Sequence, residues 1–73
     1  MLPGLAPGSR VSDASGRAWV VVTVDGDRLE CLPLDGEIGR WVAARGWHKT
    51  AFYFHTITRD AREVTPAPEG TKP

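Results

Sequence analysis

Short runs of β-branched and aromatic residues, separated by glycine and aspartate, are the main pattern along this chain. The clearest run is RAWVVVTV at residues 17–24, whose residue types fit a pleated, half-buried surface. Alternation along a strand places the even-numbered residues of this run on one face. That face is apolar throughout, so it is the expected core side of the strand.

An Asp-Gly turn follows this run directly. The sequence DGD at residues 25–27 leads into a second run, RLECLPL, at residues 28–34, and Asp-Gly between two apolar runs is a strong hairpin signal. Leu29 and Cys31 share one face of the second run. Because Pro33 has no N–H to donate, the returning strand should end there or lie at a sheet edge.

Further strands and one ambiguous segment complete the predicted body. Residues 9–13 (SRVSD) are expected to pair with the first run across a tight turn. Residues 47–58 (WHKTAFYFHTIT) are predicted to form a long last strand, on which Phe52 and Phe54 share a face and serve the core. Residues 40–44 (RWVAA) fit either a strand or one short helical turn.

Five short strands with frequent turns predict one mainly β domain. We expect a small SH3-like barrel or a five-stranded antiparallel sheet at residues 9–64, since closing the sheet would protect its edges. Residues 1–8 (MLPGLAPG) are predicted to be an extended N-terminal arm. Residues 65–73 (TPAPEGTKP) are predicted to be a flexible, disordered Pro-rich tail.

Residues 8–27, GSRVSDASGRAWVVVTVDGD, resemble the opening of SH3-like small β-barrels of the KOW and Tudor type. In that family a glycine–polar–basic–valine strand turns at a glycine, and a valine-rich second strand runs into an acidic-Gly turn. The resemblance implies a barrel fold and a role in gene expression, because relatives of this shape often sit on RNA polymerase or the ribosome. The chain departs from the family pattern after Leu34, at WVAARGWHK.

Length and cysteine content favour a small cytoplasmic domain. A chain of 73 residues supports one domain, and Cys31 alone cannot form an intramolecular disulfide, which is typical of a reducing compartment. The N-terminus lacks the basic region of a signal peptide. The longest apolar run, AWVVV, is far shorter than the ~20 residues that span a bilayer, so we expect no contact with a membrane.

No pattern of catalytic or metal-binding residues is evident. Cys31 with His48 or His55 could supply a thiolate–imidazole pair, but the cysteine lies among leucines, where it usually serves as a small hydrophobe. These residues also lack zinc-ligand spacing, and no glycine-rich phosphate loop is present. The sequence therefore predicts no enzyme, no catalytic residue, no metal and no cofactor.

The balanced net charge conceals a segregated distribution. Residues 1–37 carry a charge of −3, residues 38–59 carry +4 without any acid, and residues 60–73 carry −1. Cations interleaved with rings suit phosphates and stacked bases, and equally suit protein-binding hot spots. An ordinary solvated surface is the alternative, with at least one of Trp41 and Trp47 structural. The predicted binding residues are Arg40, Trp41, Arg45, Trp47, His48, Lys49 and Arg59.

The N-terminal arm offers a second mode of docking. Leu2 and Leu5 lie in a segment that prolines hold extended, and such a segment loses little entropy when it docks on a partner. The alternative is that the arm folds back over the open end of its own barrel. Both leucines are retained as candidate partner-docking residues.

These patterns favour a non-enzymatic binding module. The leading hypothesis is an accessory transcription regulator, such as a phage-encoded one, that docks on RNA polymerase or its elongation complex. A contact with RNA would be weak, because counterion release from about four phosphates gives little affinity. The alternative is a structural or homo-oligomeric interaction module, such as a virion component.

Overall fold

Five antiparallel strands, two short helices and one 3₁₀ turn form residues 5–67, which the structure, a computed structural model, describes. In chain order the elements are β1 (Arg10–Asp13), β2 (Ala18–Asp25), β3 (Arg28–Pro33), α1 (Gly36–Arg45), α2 (Trp47–Tyr53), β4 (Ile57–Asp60), the 3₁₀ turn Ala61–Glu63 and β5 (Val64–Pro66). The predicted mainly β class and five-stranded antiparallel sheet are confirmed.

The sheet is strongly curled because its two edge strands are neighbours in the sequence. The strand order is β4-β3-β2-β1-β5, so β4 and β5 lie at opposite edges. Only the three residues of the 3₁₀ turn connect them, and a connection of that length spans about 14 Å at most. The open sheet must therefore bend until its edges approach each other at this end.

The centre of β2 is buried on both faces of the sheet. Trp19, Val20 and Val21 are 2%, 1% and 0% exposed. The concave face holds an inner cluster, which consists of Val11, Trp19, Val21, Leu29, Cys31, Ala61 and Val64. On the opposite face, Val20 packs with Leu32 and Val42 beneath the helices.

The prediction that the even-numbered face of β2 is the core side is therefore only partly right, because Val20 on that face is buried but the odd-numbered face is buried as well. Ala18 and Val24 on that face are exposed, whereas Trp19 and Val21 are buried. Sheet curl covers one face and the helices cover the other. A register shift between Val21 and Thr23 opposite β3 also breaks the strict alternation, as a β-bulge does.

Both predicted hairpins are present. Strand β1 pairs with β2, and β2 pairs with β3 across the Asp-Gly turn. Strand β3 ends at Pro33 as expected, and its Leu29 and Cys31 share the inner cluster.

The predicted long strand at residues 47–58 is wrong. Its first half is helix α2, and only Ile57 and Thr58 belong to β4. The ambiguous segment at residues 40–44 lies within helix α1. Phe52 and Phe54 consequently do not share a face: Phe54 is half-buried, whereas Phe52 is exposed.

The folded body extends beyond the predicted limits at residues 9 and 64. The Gly8 N–H donates to the carbonyl of Val21 at 2.7 Å, so the ladder starts before β1. At the other end β5 pairs with β1, and the Ala67 N–H donates to the Arg10 carbonyl at 2.8 Å. The remaining parts of the predicted arm and tail, residues 1–4 and 68–73, lie outside the described residues.

The Asp13 carboxylate organises the turn after β1 and one end of the inner cluster. Its Oδ1 atom accepts hydrogen bonds from the Ser15 N–H at 3.0 Å, the Ser15 hydroxyl at 2.6 Å and the Arg17 N–H at 3.0 Å. Its Oδ2 atom accepts from Trp19 Nε1 at 3.0 Å and lies 3.8 Å from the Arg59 guanidinium. These hydrogen bonds, above all from Ser15 and Trp19, hold the pKa of Asp13 well below its ordinary value.

Acid is therefore expected to weaken the fold through Asp13. In the unfolded chain this carboxyl takes up a proton near pH 4, whereas in the folded chain it stays ionised to lower pH. Its contribution to stability is present above about pH 4 and is lost as the pH falls toward the folded pKa. The stability difference between wild type and Asp13→Asn, measured by urea unfolding, should therefore shrink between pH 7 and pH 3.

The matched control is Asp25→Asn, which removes the same charge from an exposed position at the end of β2. It reports the loss of a carboxylate that takes no part in the Asp13 hydrogen bonds. A difference for Asp13→Asn that stays constant with pH would contradict the assigned role of this carboxylate.

Candidate functional site

The two helices meet at a sharp corner formed by Gly46. This residue has φ of +90°, a left-handed conformation that glycine adopts without strain. Its N–H donates to the Val42 carbonyl at 2.8 Å and closes α1. Its own carbonyl accepts from the Thr50 N–H at 3.1 Å and the Thr50 hydroxyl at 2.9 Å. Because Thr50 is fully buried, the corner is part of the packed structure.

The start of α1 is bound to the sheet by an ion pair. Both Asp35 carboxylate oxygens accept from the Arg17 guanidinium, at 2.9 and 3.2 Å. Hydrogen bonding from Arg17 lowers the pKa of Asp35 below its ordinary value. The Leu34 N–H also donates to the Ala18 carbonyl at 2.9 Å. These contacts hold the N-terminus of α1 against β2 and so place the helical corner on the sheet.

Helix α2 has one buried side and one exposed side. Buried or half-buried residues recur at i, i+3, i+4 and i+7, namely Trp47, Thr50, Ala51 and Phe54. This spacing is the signature of an amphipathic helix. The exposed side carries His48, Lys49, Phe52 and Tyr53. Phe52 is 84% exposed and Tyr53 is 66% exposed, an unusual position for two large rings in so small a domain.

The exposed rings continue from α2 onto α1 in one connected row. The Arg45 guanidinium lies 4.0 Å from the centre of the Trp41 ring. Trp41 contacts Tyr53 at 5.5 Å between ring centres, with the rings tilted by 58°. Tyr53 contacts Phe52 at 5.4 Å with the rings nearly perpendicular, at 86°. We call these four residues the ring-and-cation row.

Cations without carboxylate partners lie on the same two helices as this row. Arg40, Arg45 and Lys49 are all exposed, as is the imidazole of His48. Within residues 5–67, the ion pairs involve the guanidinium groups of Arg17, Arg59 and Arg62 and none of these four side chains. The positive charge on the helical corner is therefore available to a partner.

Two predicted binding residues do not belong to this surface. Trp47 is half-buried against the cluster beneath the helices, and its ring lies against the backbone of Gly8. Arg59 lies at the other side of the sheet, near Asp13 and 5.3 Å from the centre of the Trp19 ring. Trp47 faces the sheet because residues 47–53 form a helix. Arg59 lies away from the helical corner because it belongs to β4.

The predicted docking arm is only partly described. Leu5 is half-buried and packs against the inner cluster, which is the alternative in which the arm folds back on its own domain. Leu2 lies outside the described residues, and its docking role stays a prediction.

Phe52 and Tyr53 are binding candidates that the sequence did not predict. The signal that identifies them is the helical spacing of Trp47, Ala51 and Phe54, because it directs the residues between them outward. High strand propensity of the aromatic residues favoured a strand instead.

Three other features of the described residues concern reactive groups, metal ligands and clefts. Burial raises the pKa of the Cys31 thiol to about 11, which leaves it protonated and unreactive at neutral pH. No group of three potential metal ligands occurs in residues 5–67. An open cleft of about 200 Å³ is lined by Asp27, Arg28, Thr58, Arg59 and Asp60. Its charges largely neutralise each other, and the Arg62 guanidinium bonded to Asp60 lowers the pKa of that carboxyl to about 2.

None of the described helices is both long and apolar enough to cross a membrane. Comparison of the chain with known protein families, with curated proteins and with solved structures found no match.

Proposed function

We propose that this chain is a non-enzymatic, cytoplasmic protein-binding module whose docking surface is the ring-and-cation row. The observation that carries the proposal is the exposure of Phe52, which is 84% open to solvent yet joined through Tyr53 and Trp41 to Arg45. Covering a phenylalanine side chain with a partner contributes roughly 1.5–3 kcal/mol. Aromatic residues and arginine together are the composition of interface hot spots.

Ring geometry favours a protein over a nucleic acid as the partner. Successive bases stack on open aromatic faces, but the guanidinium of Arg45 covers one face of Trp41. The remaining rings meet at 58° and 86°, so they present no parallel series of faces. The corner also supplies only three fixed cations, too few for strong phosphate binding.

The KOW-like resemblance of residues 8–27 makes an RNA polymerase or its elongation complex the first partner to test. An accessory transcription regulator, such as a phage-encoded one, is the specific form of the proposal. A sheet whose edge strands are joined by one 3₁₀ turn is compatible with an SH3-like barrel, which supports this assignment.

Photo-crosslinking in cells tests the proposal directly. The variant Phe52→p-benzoylphenylalanine places the reactive group in the row, and Val24→p-benzoylphenylalanine places it at an exposed apolar position of β2 as a control. We expect a nuclease-resistant adduct with a polymerase subunit at position 52 and none at position 24. A nuclease-sensitive adduct would overturn protein binding, and an adduct with a second copy of this chain would favour the homo-oligomeric alternative.

Truncation and charge reversal should separate binding from stability. Phe52→Ala should change the free energy of unfolding by no more than about 0.5 kcal/mol, because the ring is exposed, and should abolish the crosslinked complex when the probe is placed at Tyr53. Charge reversal at Arg45 and Lys49 should weaken the complex several-fold at low salt. The control is charge reversal at Arg10 and Arg28, which are exposed on the sheet and should leave binding unchanged.

A further inference from the structure

We infer that the segment held by the ring-and-cation row is an acidic amphipathic helix of the partner protein. This inference rests on the proposed function and names the chemistry of its partner. Three features of the surface lead to it: the continuity of the rings, the position of the cations and the absence of ion pairs that neutralise them.

The rings of the row form one continuous apolar surface. Their centres are 5.5 and 5.4 Å apart, which is the distance at which packed rings touch. An amphipathic helix lays apolar side chains at i, i+3 or i+4 and i+7 onto a surface of this kind. Three apolar residues at i, i+4 and i+7 of a partner helix would therefore cover the row.

The cations lie along the borders of the ring row. Arg45 occupies the end of the row at Trp41. Lys49 lies one helical turn before Tyr53, so it is adjacent to a ring of the row on the exposed side of α2. A helix that places apolar residues on the rings would direct its flanking residues toward these cations, where carboxylates are favoured.

Carboxylates of the two helices do not neutralise these cations. Glu37, in the first turn of α1, is the one acidic residue of α1 and α2. It lies two helical turns from Arg45, and the described ion pairs do not involve Arg45 or Lys49. The complementary charge must therefore come from the partner. Basic or neutral amphipathic helices would lack this contribution.

Synthetic peptides test the inference on the full chain. The probe is a peptide of about 16 residues, long enough to form a helix on binding, with leucine at i, i+4 and i+7 and glutamate at the flanking positions. Three matched probes accompany it: the same composition in shuffled order, glutamate replaced by glutamine, and an oligouridine. Binding is measured by fluorescence anisotropy at low and physiological salt, and peptide helicity by circular dichroism.

The expected result is saturable binding of the acidic amphipathic peptide, with helicity gained in the complex. The glutamine peptide should bind at least fivefold more weakly, and the shuffled peptide should bind at least tenfold more weakly. Phe52→Ala should reduce affinity at least tenfold, whereas Val24→Ala should not change it. Equal binding of the shuffled peptide, or tighter binding of oligouridine, would overturn the inference.

The two proposals fail in different ways. If no peptide binds while position 52 still crosslinks to a protein in cells, the acidic-helix inference is wrong and the docking surface stands. If position 52 gives no adduct and no probe binds, both are wrong.

Discussion

Replacing Trp19 with alanine is expected to leave the protein largely unfolded at 25 °C. Trp19 is 2% exposed and is the largest side chain in the inner cluster, so its truncation leaves a cavity and costs about 3–5 kcal/mol. A domain of this size has roughly 3–5 kcal/mol of stability in total. The ring also donates a hydrogen bond to Asp13 and lies 4.7 Å from the Arg17 guanidinium, and both interactions disappear with it.

Two further variants allow the loss of stability in Trp19→Ala to be compared with smaller changes. Trp19→Phe keeps most of the buried area but loses the hydrogen bond, and should fold with stability reduced by about 1–2 kcal/mol. Trp41→Ala removes a ring that is only half-buried and should cost less than Trp19→Ala. Urea unfolding monitored by far-ultraviolet circular dichroism measures all three. A Trp19→Ala variant as stable as Trp41→Ala would contradict the described inner cluster.

The parts of the fold that could be predicted are those encoded by local turn chemistry. The Asp-Gly turn at residues 25–26 favours a hairpin through local conformation alone. Pro33 ends β3 because it has no N–H with which to extend the ladder. The strand β5 could not be recognised in the same way. Its three residues lie in a Pro-rich stretch with the composition of a tail, and only pairing with β1 at the sheet edge makes them a strand.

The helical corner could not be predicted from the sequence for a different reason. Residues 47–54 satisfy two patterns at once, because their aromatic residues favour a strand while Trp47, Thr50, Ala51 and Phe54 have helical spacing. Tertiary packing against Val20 and Leu32 decides between them. Once the helix forms, Phe52 is rotated about 200° from Phe54 and becomes exposed. Because residues 47–58 were predicted to be a strand, Phe52 was assigned to the core and not to the binding surface.

The charge pattern predicted only part of the candidate surface. Arg45, His48 and Lys49 are exposed on either side of the Gly46 corner, and their binding role stays a prediction. Arg59 belongs to the same window in sequence, yet a loop and a strand separate it from the corner in space. Charge segregation along a chain thus identifies a segment, whereas membership of a surface depends on the elements that the segment forms.

The position of the corner separates the proposed binding surface from the sheet. The two helices lie between β3 and β4 and carry the exposed rings and cations, whereas the sheet carries most of the inner cluster. On the proposed function, partner specificity resides in the helices rather than in the sheet.

Replacing Gly39 with alanine should test whether close packing of α1 on the Leu34 backbone positions the helical corner. A Cβ atom at this position would lie 2.5 Å from both the carbonyl carbon and the oxygen of Leu34, which are backbone atoms that cannot rotate away. Alanine normally stabilises a helix interior by about 1 kcal/mol relative to glycine. Here the clash should dominate, so Gly39→Ala should be less stable than wild type by about 1–3 kcal/mol.

Urea unfolding measures whether Gly39→Ala lowers or raises the free energy of unfolding. Ala43→Gly, on the exposed side of α1, reports helix propensity alone and should cost about 1 kcal/mol. Because relief of the clash requires α1 to move away from the end of β3, Gly39→Ala should also displace Trp41 and Arg45 from Tyr53. Affinity for the acidic amphipathic peptide should then fall in Gly39→Ala but not in Ala43→Gly. A Gly39→Ala protein that is more stable than wild type would show that α1 does not approach the Leu34 backbone, and the arrangement of the ring-and-cation row would have to be abandoned with it.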